Sequence, residues 1–265
     1  MRLLTIITVN KNNANGLAKT AKSITGVKST YKELVEWIVI DGNSSDNSLQ
    51  VIDYYNSELS KWVSESDQGI YDAMNKGLLL ATSKYVVFMN SGDAFYRIDD
   101  VLNQLRKSSA GIVYGDFYIQ GIEKKELLVK QTPQLDFAFL LAKTINHQSY
   151  FLQREIAINY LFSLKYRIIS DWIQLFEILK TEKEISVHYL GIPISIYDGT
   201  GVSSTNDTLR IQEKQEYLEQ NYSNWELNSL LPMSRLRQRN WYSLILKSLD
   251  SPRRSSILSF LARIL

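Results

Sequence analysis

The stretch EWIVIDGNSSDNS, residues 36–48, places an apolar run directly before a polar turn and a helical segment. The run that ends at residue 40 is short and rich in β-branched side chains, which is typical of a buried strand. Residues 45–55 have the spacing of a helix, for which Ser44 or Ser45 supplies the cap. This stretch therefore predicts a strand, a loop and a helix.

The sequence on both sides repeats this unit. Apolar runs of strand length lie at residues 3–9, 61–64 and 85–89, and helical spacing is found at residues 14–24 and 70–81. Strands that alternate with helices predict a parallel sheet with right-handed crossovers. Ligands bind such sheets at the carboxyl ends of the strands. The polar residues at those ends are Thr8, Asn10, Asp41, Asp67 and residues 90–93.

The sequence after Asp93 changes rhythm. Strands are predicted at residues 111–119, 123–129, 149–153 and 186–197, and an amphipathic helix at residues 171–180. We therefore expect an α/β fold with a mostly parallel central sheet flanked by helices, in which the second half is mixed and builds a further pocket. We expect one domain over residues 1–210 and a C-terminal helical appendage over residues 211–265.

The composition narrows the chemistry. The chain has 265 residues, no cysteine and only two histidines, His147 and His188, which excludes disulfides and cysteine nucleophiles and disfavours zinc. The first apolar run turns polar at Asn10 without a small-residue cleavage pattern, which indicates a strand and not a signal peptide. No stretch reaches the ~20 apolar residues of a membrane-spanning helix. We expect a cytoplasmic protein that is soluble or attached to the inner face of the cell membrane.

The net charge of +2 is the sum of two segments of opposite sign. Residues 232–265 carry seven basic side chains against Asp250 alone, a charge of +6, and residues 1–231 carry −4. A basic segment with aliphatic and aromatic residues can lie on anionic lipid, so we expect membrane contact here. A helical cap or an oligomer contact is the alternative. The near-neutral total gives no reason to expect a nucleic-acid partner.

The motif DGNSSDNS, residues 41–48, has the alternating oxygen ligands of a calcium loop. It lacks Gly at the sixth position, which is Asp46, and Glu at the twelfth, which is Ile52, so calcium is excluded. Two interpretations stay open, an Asx turn before a helix and a ligand site at the sheet edge.

Two further motifs follow predicted strands. In SDQGIYDAMNKG, residues 66–77, Asp72 and Asn75 lie one turn apart at a helix start, which fits a ribose or base site or a solvated helix end. In MNSGD, residues 89–93, the carboxylate could hold Mg²⁺ or Mn²⁺ against a diphosphate. The alternative there is a plain turn that uses Gly92.

Taken together, these motifs resemble the family 2 glycosyltransferases, and more closely the bacterial exopolysaccharide and O-antigen enzymes of the colanic-acid type. The resemblance begins at TIITVNKN, continues through EWIVIDGNSSDNS, SDQGIYDAMNKGLLLA, YVVFMNSGDAFY, INHQSYF and ISDW, and ends at GTGVSSTN, so it covers roughly residues 1–210. It implies a GT-A fold, a nucleotide-sugar donor, inversion at the anomeric carbon and no covalent intermediate. No G-x-G-x-x-G follows the first strand, which argues against a dinucleotide-dependent dehydrogenase.

The resemblance also implies roles for the residues at the strand ends. Thr8 and Asn10 would line the nucleotide site after the first strand. Asp41 would meet the base of the nucleotide, and Asp67 and Asn75 would face the nucleotide as well.

Asp93 would be the last residue of the family's D-x-D-D element. Asn90 and Gly92 stand where two other carboxylates of that element are expected. The middle carboxylate is the usual metal ligand. Either Asp93 takes the Mg²⁺ or Mn²⁺ ion here, or the dependence on metal is weaker.

The resemblance implies that the catalytic base is Asp171, in ISDW. Inversion needs a carboxylate opposite the leaving diphosphate that accepts the proton of the acceptor hydroxyl. A helix N-terminus would keep that carboxylate ionised, although a plain N-cap is the alternative. His147 and Gln148 match the family's HQ element and, with Trp172, are assigned to the acceptor or diphosphate side.

The expected function is that of an inverting, metal-assisted glycosyltransferase of bacterial surface polysaccharide biosynthesis. It would move a sugar from a UDP-, GDP- or dTDP-linked donor to a hydroxyl of a lipid-linked oligosaccharide. The alternative is a catalytically inactive nucleotide-sugar-binding or scaffold subunit, which the altered D-x-D-D element favours. A nucleotidyltransferase is disfavoured because no Gly-rich phosphate loop follows the first strand.

Overall fold

The computed structural model of the protein describes residues 2–120, 126–199 and 206–223. Its strands are β1 (Leu4–Asn10), β2 (Val35–Asp41), β3 (Lys61–Ser64), β4 (Tyr85–Phe88), β5 (Ala94–Phe95), β6 (Ile112–Gln120), β7 (Glu126–Val129), β8 (Tyr150–Gln153) and β9 (Val187–Asp198). Its helices are α1 (Ala14–Thr25), α2 (Ser29–Lys32), α3 (Ser48–Tyr54), α4 (Ile70–Leu80), α5 (Ile98–Leu105), α6 (Phe137–Ala142), α7 (Arg154–Ala157), α8 (Ser170–Thr181) and α9 (Asp207–Asn221). A 3₁₀ turn covers His147–Ser149.

The first half of the sheet is parallel, as predicted. β1 pairs in parallel with β2 and β4, and β2 pairs in parallel with β3. Every residue of β1 is buried, because helices cover both faces of a parallel sheet. The register sets Asn10 opposite Asp41, so the last residues of β1 and β2 lie side by side at the carboxyl edge.

The second half of the sheet is mixed. The strand order is β3-β2-β1-β4-β8-β6-β9-β5, with β7 paired to β6. β8 runs antiparallel to β4 and β6, whereas β9 runs parallel to β6 and pairs its distal end antiparallel with β5. This last pairing returns Asp198, at the end of β9, to the same edge as Asp93.

Helices on both faces of the sheet bury two apolar clusters. In α4, a side chain on Gly77 would come within 2.3 Å of Ile7 in β1, so the helix approaches the sheet closely at a residue without a Cβ. In α8, Trp172 stacks on Phe176, and Tyr217 of α9 meets both rings edge-on. Burying each such side chain contributes about 1.5–3 kcal/mol, so this packing holds α8 and α9 together.

Several predicted boundaries move. The helix expected from residue 45 begins at Ser48 with Asn47 as its cap, because Ser44 and Ser45 hydrogen-bond to Asp41 and Asn12 instead. The predicted strand at residues 123–129 is found as β7, and its first residues lie outside the described ranges. Helices α5 and α6 were not predicted.

The structure describes only part of the predicted C-terminal region, residues 211–265. Helix α9 starts at Asp207 and continues across residues 210 and 211, where the domain boundary was predicted. That division into two regions stays a prediction. Residues 232–265, the basic segment, lie outside the described residues. Among the residues that are described, no helix is both long and apolar enough to cross a bilayer.

Candidate active site

A cavity of about 1510 Å³ opens at the carboxyl edge of the sheet. Its walls come from the ends of β1 and β9, the loop after β4, the starts of α4 and α8, and helix α9. Seven of the ten predicted site residues line it: Asn10, Asp67, Asp93, His147, Gln148, Asp171 and Trp172. The other three, Thr8, Asp41 and Asn75, lie behind the lining.

Asp41 lies fully buried at the end of β2, within a dense set of donors. Its carboxylate accepts hydrogen bonds from Asn10 Nδ2 (2.8 Å), Ser44 N (2.9 Å), Ser64 Oγ (2.7 Å) and Ser44 Oγ. Burial alone would raise the pKa of Asp41, but these hydrogen bonds outweigh it and lower the pKa. The contact with Ser44 N is the Asx turn proposed as the structural interpretation of this motif.

Asp67 lines the cavity directly above Gly42. A Cβ on Gly42 would lie 2.3 Å from Asp67 Oδ2, so any other residue at position 42 would require this carboxylate to move. Asp67 Oδ1 accepts a hydrogen bond from Gly69 N and lies 3.8 Å from Lys11 Nζ, which also lines the cavity. The pair holds opposite charges at the mouth beside the end of β1.

Thr8 and Asn75 support the site without lining it. The buried Thr8 hydroxyl accepts a hydrogen bond from Trp37 Nε1 at 3.1 Å, so it is engaged on the side away from the cavity. The Asn75 amide donates to Phe162 O and accepts from Phe162 N, a double contact that fastens α4 to the segment before α8. The direct nucleotide contact that the sequence predicts for these two side chains stays a prediction, because neither residue lines the cavity.

Asp93 lies at the cavity floor and is 5% exposed. Its Oδ2 accepts from Gln148 Nε2 at 2.6 Å, and its Oδ1 accepts from Asp198 N at 2.9 Å. Burial raises the pKa of Asp93 to about 6, against the lowering effect of these two donors. The preceding Gly92 has φ +110°, so the turn after β4 does use glycine.

Asp171 lies in the first turn of α8 with its side chain 15% exposed. Oδ2 lies 2.8 Å from His147 Nδ1, and Oδ1 lies 3.0 Å from the Tyr71 hydroxyl. The helix cap is Ile169, so Asp171 is not the N-cap that was the alternative interpretation. Burial, with the nearby Asp171 charge, raises the pKa of Tyr71 well above its usual value, so Tyr71 keeps its proton.

The HQ dipeptide contacts two of the carboxylates that line the cavity, Asp93 and Asp171. His147 contacts Asp171 through Nδ1 and Asn90 Nδ2 through Nε2, at 2.8 and 2.9 Å, while Gln148 contacts Asp93. With a proton on Nδ1, the imidazole donates to Asp171 and accepts from Asn90. Adjacent residues of one 3₁₀ turn therefore position a carboxylate on each side of the cavity.

Trp172 follows Asp171 and is almost fully buried. Its Nε1 donates to Leu140 O at 2.8 Å, and Lys214 Nζ lies 4.4 Å from its ring centroid. His188, in β9, contacts the Ser108 hydroxyl and lies outside the cavity lining.

The fit of a divalent cation depends on Asp93. Within residues 2–120, 126–199 and 206–223, no group of three or more acidic or histidine side chains converges as a metal site. However, Asn90 Oδ1 and Gln148 Oε1, on residues that line the cavity with Asp93, are buried and lack a hydrogen-bond partner among the described atoms. Hard oxygen donors of this kind suit Mg²⁺ or Mn²⁺, so the residues fit a cation held by one carboxylate and neutral oxygens.

Sequence reasoning missed Tyr71 and Asp198 as site residues. Tyr71 stands directly before Asp72 in the SDQGIYDAMNKG motif, but its side chain matters only because the fold brings Asp171 to it. Asp198 ends the last strand, so the strand-end rule applied to β9 would have found it.

The fold is that of the GT-A glycosyltransferases. A mannosyltransferase from Pyrobaculum calidifontis, solved with GDP-mannose and Mn²⁺, superposes with a TM-score of 0.63 at 14% identity, covering 100% of this chain and 81% of that one. The family model for Glycosyl transferase family 2 matches residues 5–180. The chain therefore belongs to the family 2 glycosyltransferases.

Curated relatives agree with this family. An uncharacterized glycosyltransferase of Mycobacterium tuberculosis is 30% identical over 152 residues, which are 56% of this chain and 57% of the relative. The Escherichia coli UDP-Glc:alpha-D-GlcNAc-diphosphoundecaprenol beta-1,3-glucosyltransferase WfgD is 25% identical over 120 residues, 44% of this chain and 46% of WfgD. The chain thus matches only about half the length of these relatives.

Proposed function

We propose that the protein is an inverting glycosyltransferase that moves a sugar from a nucleotide-diphosphate donor to a hydroxyl of a lipid-linked oligosaccharide in bacterial surface polysaccharide biosynthesis. The observation that carries the proposal is the HQ dipeptide, which contacts Asp93 through Gln148 and Asp171 through His147. Two carboxylates held in one cavity suit a single displacement, in which Asp171 serves the attacking hydroxyl and Asp93 serves the leaving diphosphate.

In this reaction Asp171 is the general base. The acceptor oxygen attacks the anomeric carbon, the bond from that carbon to the donor diphosphate breaks, and the hydroxyl proton passes to Asp171. Tyr71 and His147 hold the carboxylate by hydrogen bonds to its two oxygens, so its orientation is set before the substrate arrives. The nucleoside diphosphate leaves on the face opposite Asp171.

The donor nucleotide binds at the ends of β1 and β2. Asn10 and Asp67 are cavity-lining polar residues there, and Asp41 orients Asn10 from behind through the 2.8 Å hydrogen bond. The nucleotide of the donor is UDP, GDP or dTDP. The P. calidifontis mannosyltransferase was solved with GDP-mannose, which supports a nucleotide-sugar in the same fold.

Asp93 would hold a divalent cation, Mg²⁺ or Mn²⁺. The cation would screen the charge that develops on the departing diphosphate. Asp93→Ala is expected to weaken donor binding and to change its response to added Mn²⁺, both measured by calorimetry. An identical Mn²⁺ titration in the variant would mean that Asp93 is structural.

The acceptor is carried on a lipid diphosphate. The name of the E. coli relative specifies a diphosphoundecaprenol acceptor, and such a lipid is confined to the membrane surface. The seven basic side chains of residues 232–265 would draw the protein to that surface, at about 1 kcal/mol each. Deletion of residues 232–265 is expected to reduce flotation with anionic liposomes. Unchanged flotation of a folded deletion variant would contradict this membrane contact.

The transferase activity is tested in two steps. A thermal-shift screen of UDP-, GDP- and dTDP-sugars is expected to find one donor that raises the melting temperature. The stabilising donor is then incubated with the protein alone and with acceptor, and released nucleoside diphosphate is measured. Binding without release under both conditions would favour the alternative, an inactive nucleotide-sugar-binding or scaffold subunit.

A further inference from the structure

The charges that line the cavity are distributed unevenly. Three of its carboxylates have a partner near the sheet edge: Asp67 lies near Lys11, Asp72 pairs with Lys76, and Asp93 is held by Gln148. Three cavity-lining cations differ. Lys143, Arg167 and Lys214 have no carboxylate partner among the residues that the structure describes, and we refer to them as the basic wall.

The basic wall is on the same side as Asp171. Arg167 lies four residues before Asp171, in the segment that leads into α8. Lys214 Nζ packs over the ring of Trp172, the next residue after Asp171, and donates to Leu140 O at 2.9 Å. Lys143 follows the end of α6, the helix that provides that carbonyl.

The Lys214 ammonium group is held in a position that disfavours its charged form. Glu213, its neighbour on α9, accepts hydrogen bonds from Arg167 N and Ile168 N, which fixes this turn of α9 against the start of α8. Arg210, one turn earlier, pairs with Asp207 at 2.8 Å and also places a second positive charge near Lys214, at a spacing where like charges repel. Burial and Arg210 lower the pKa of Lys214 to about 8. An ammonium group kept in this position without a counter-charge is expected to gain from an anionic ligand.

We propose that Lys143, Arg167 and Lys214 form a subsite for a phosphate or diphosphate group of the acceptor. This rests on the proposed function, in which Asp171 deprotonates the acceptor. In a single displacement the leaving diphosphate of the donor lies on the opposite face of the sugar from the base. Cations beside the base therefore meet the acceptor, and a phosphate or diphosphate next to the acceptor sugar is an anion that lysine and arginine side chains bind.

Binding can be tested without any transfer reaction. Calorimetry uses decyl diphosphate as the probe, with EDTA present so that no cation bridges it to Asp93, and decyl glucoside as the uncharged control. Arg167→Gln is the main variant, because the Arg167 side chain is exposed and makes no hydrogen bond or ion pair within the described residues. Arg106→Gln, an exposed arginine outside the cavity lining, is the matched control.

The wild-type protein is expected to bind decyl diphosphate and not decyl glucoside. Arg167→Gln should weaken that binding about tenfold to a hundredfold, the loss of one charge-assisted hydrogen bond, and Arg106→Gln should not change it. Lys214→Gln should weaken it similarly, and circular dichroism then checks that α9 is retained. No binding by the wild type, equal affinity in Arg167→Gln, or equal binding of decyl glucoside would overturn the proposal.

Competition separates this subsite from the donor site. The nucleoside diphosphate that the donor screen selects is expected to bind together with decyl diphosphate. Mutual displacement would assign the basic wall to the donor and overturn the proposal. Binding of decyl diphosphate that depends on Arg167, in a protein that releases no nucleoside diphosphate from any donor, would refute the transferase function and leave the subsite standing.

Discussion

Asp171 lines the cavity and Asp41 lies behind its lining, and the surroundings of these two aspartates differ in kind. The Asp41 carboxylate is fully buried and accepts hydrogen bonds from three residues, so its oxygens are used up by the protein. The Asp171 carboxylate has two partner side chains, Tyr71 and His147, and keeps an exposed edge toward the cavity. The carboxylate at the end of β2 is therefore enclosed by the protein, while the one at the start of α8 is accessible from the cavity.

The two regions are also assembled differently. Asp41, Ser44 and Ser64 come from neighbouring parallel strands and the turn after one of them. Asp171 meets Tyr71 across 100 residues of sequence, because the starts of α8 and α4 lie close enough for a hydrogen bond of 3.0 Å between the two side chains. The surroundings of Asp41 are thus set by the pairing of neighbouring strands, whereas those of Asp171 depend on contacts between elements that are distant in sequence.

The largest expected effect is on turnover in Asp171→Asn. Without a base to take the acceptor proton, kcat should fall about 10²-fold or more. Donor affinity and melting temperature should stay close to wild type, because the amide fills the same volume at a partly exposed position. Steady-state kinetics measure kcat, calorimetry measures donor affinity, and thermal unfolding measures the melting temperature. A variant that keeps more than about a third of wild-type kcat would remove the distinction between the two aspartates.

Asp41→Asn is expected to act mainly on stability. An amide presents hydrogens to donors that need an acceptor, and leaving a buried donor unpaired costs about 1–3 kcal/mol, so urea denaturation should show a loss of that size in the free energy of unfolding. Donor affinity should fall with it through Asn10. Because kcat at saturating donor depends on Asp171, it should change far less. A stable variant with a large loss of kcat would reverse the comparison.

The same pair gives a pH test. The pKa of Asp41 is lower in the folded protein than its ordinary value of 3.8. Its contribution to stability is therefore complete above that value and is lost as the pH falls through the lower folded pKa. The stability difference between wild type and Asp41→Asn should narrow below about pH 4. A difference that stays constant with pH would show that the ionised carboxylate is not what Asp41 contributes.

A smaller effect is expected from Tyr71→Phe, which removes the hydroxyl that lies 3.0 Å from Asp171 Oδ1 and 2.7 Å from Ile168 O. One such contact is worth about 1 kcal/mol, so kcat should fall about fivefold while the donor KM is unchanged. Tyr85→Phe is the matched control, because the buried Tyr85 hydroxyl also bonds backbone carbonyl groups, those of Ser108 and Ala110, and Tyr85 lies outside the cavity lining. It should leave kcat unchanged. Equal losses of kcat in the two variants would mean that Tyr71 acts through packing alone.

Much of the donor half could be predicted from the sequence. The alternation of apolar runs and helical spacing gives β1 to β4 within a residue or two, because a buried parallel strand needs a continuous apolar run. The strand-end rule then brings Asn10 and Asp67 to the cavity. The rule does not distinguish lining from support, so it also selected Thr8 and Asp41, whose exposure is decided by neighbouring donors.

The base side could be predicted only in part. ISDW and HQ are recognisable as motifs, and both reach the cavity, but their contact with each other is a property of the packed fold. Tyr71 and Lys214 have no motif that separates them from an ordinary tyrosine or a lysine on a polar helix. Their significance comes from where α4 and α9 are packed, which depends on contacts distant in sequence.

The most direct test of single displacement at Asp171 is the configuration of the product. A donor with an α-linked sugar, chosen by the thermal-shift screen, is incubated with the full chain and an acceptor. The anomeric coupling of the new linkage is then read by NMR. Attack from the face that Asp171 occupies is expected to give a β-linked product. An α-linked product would contradict the account, because retention requires either a covalent intermediate or attack from the side of the leaving diphosphate.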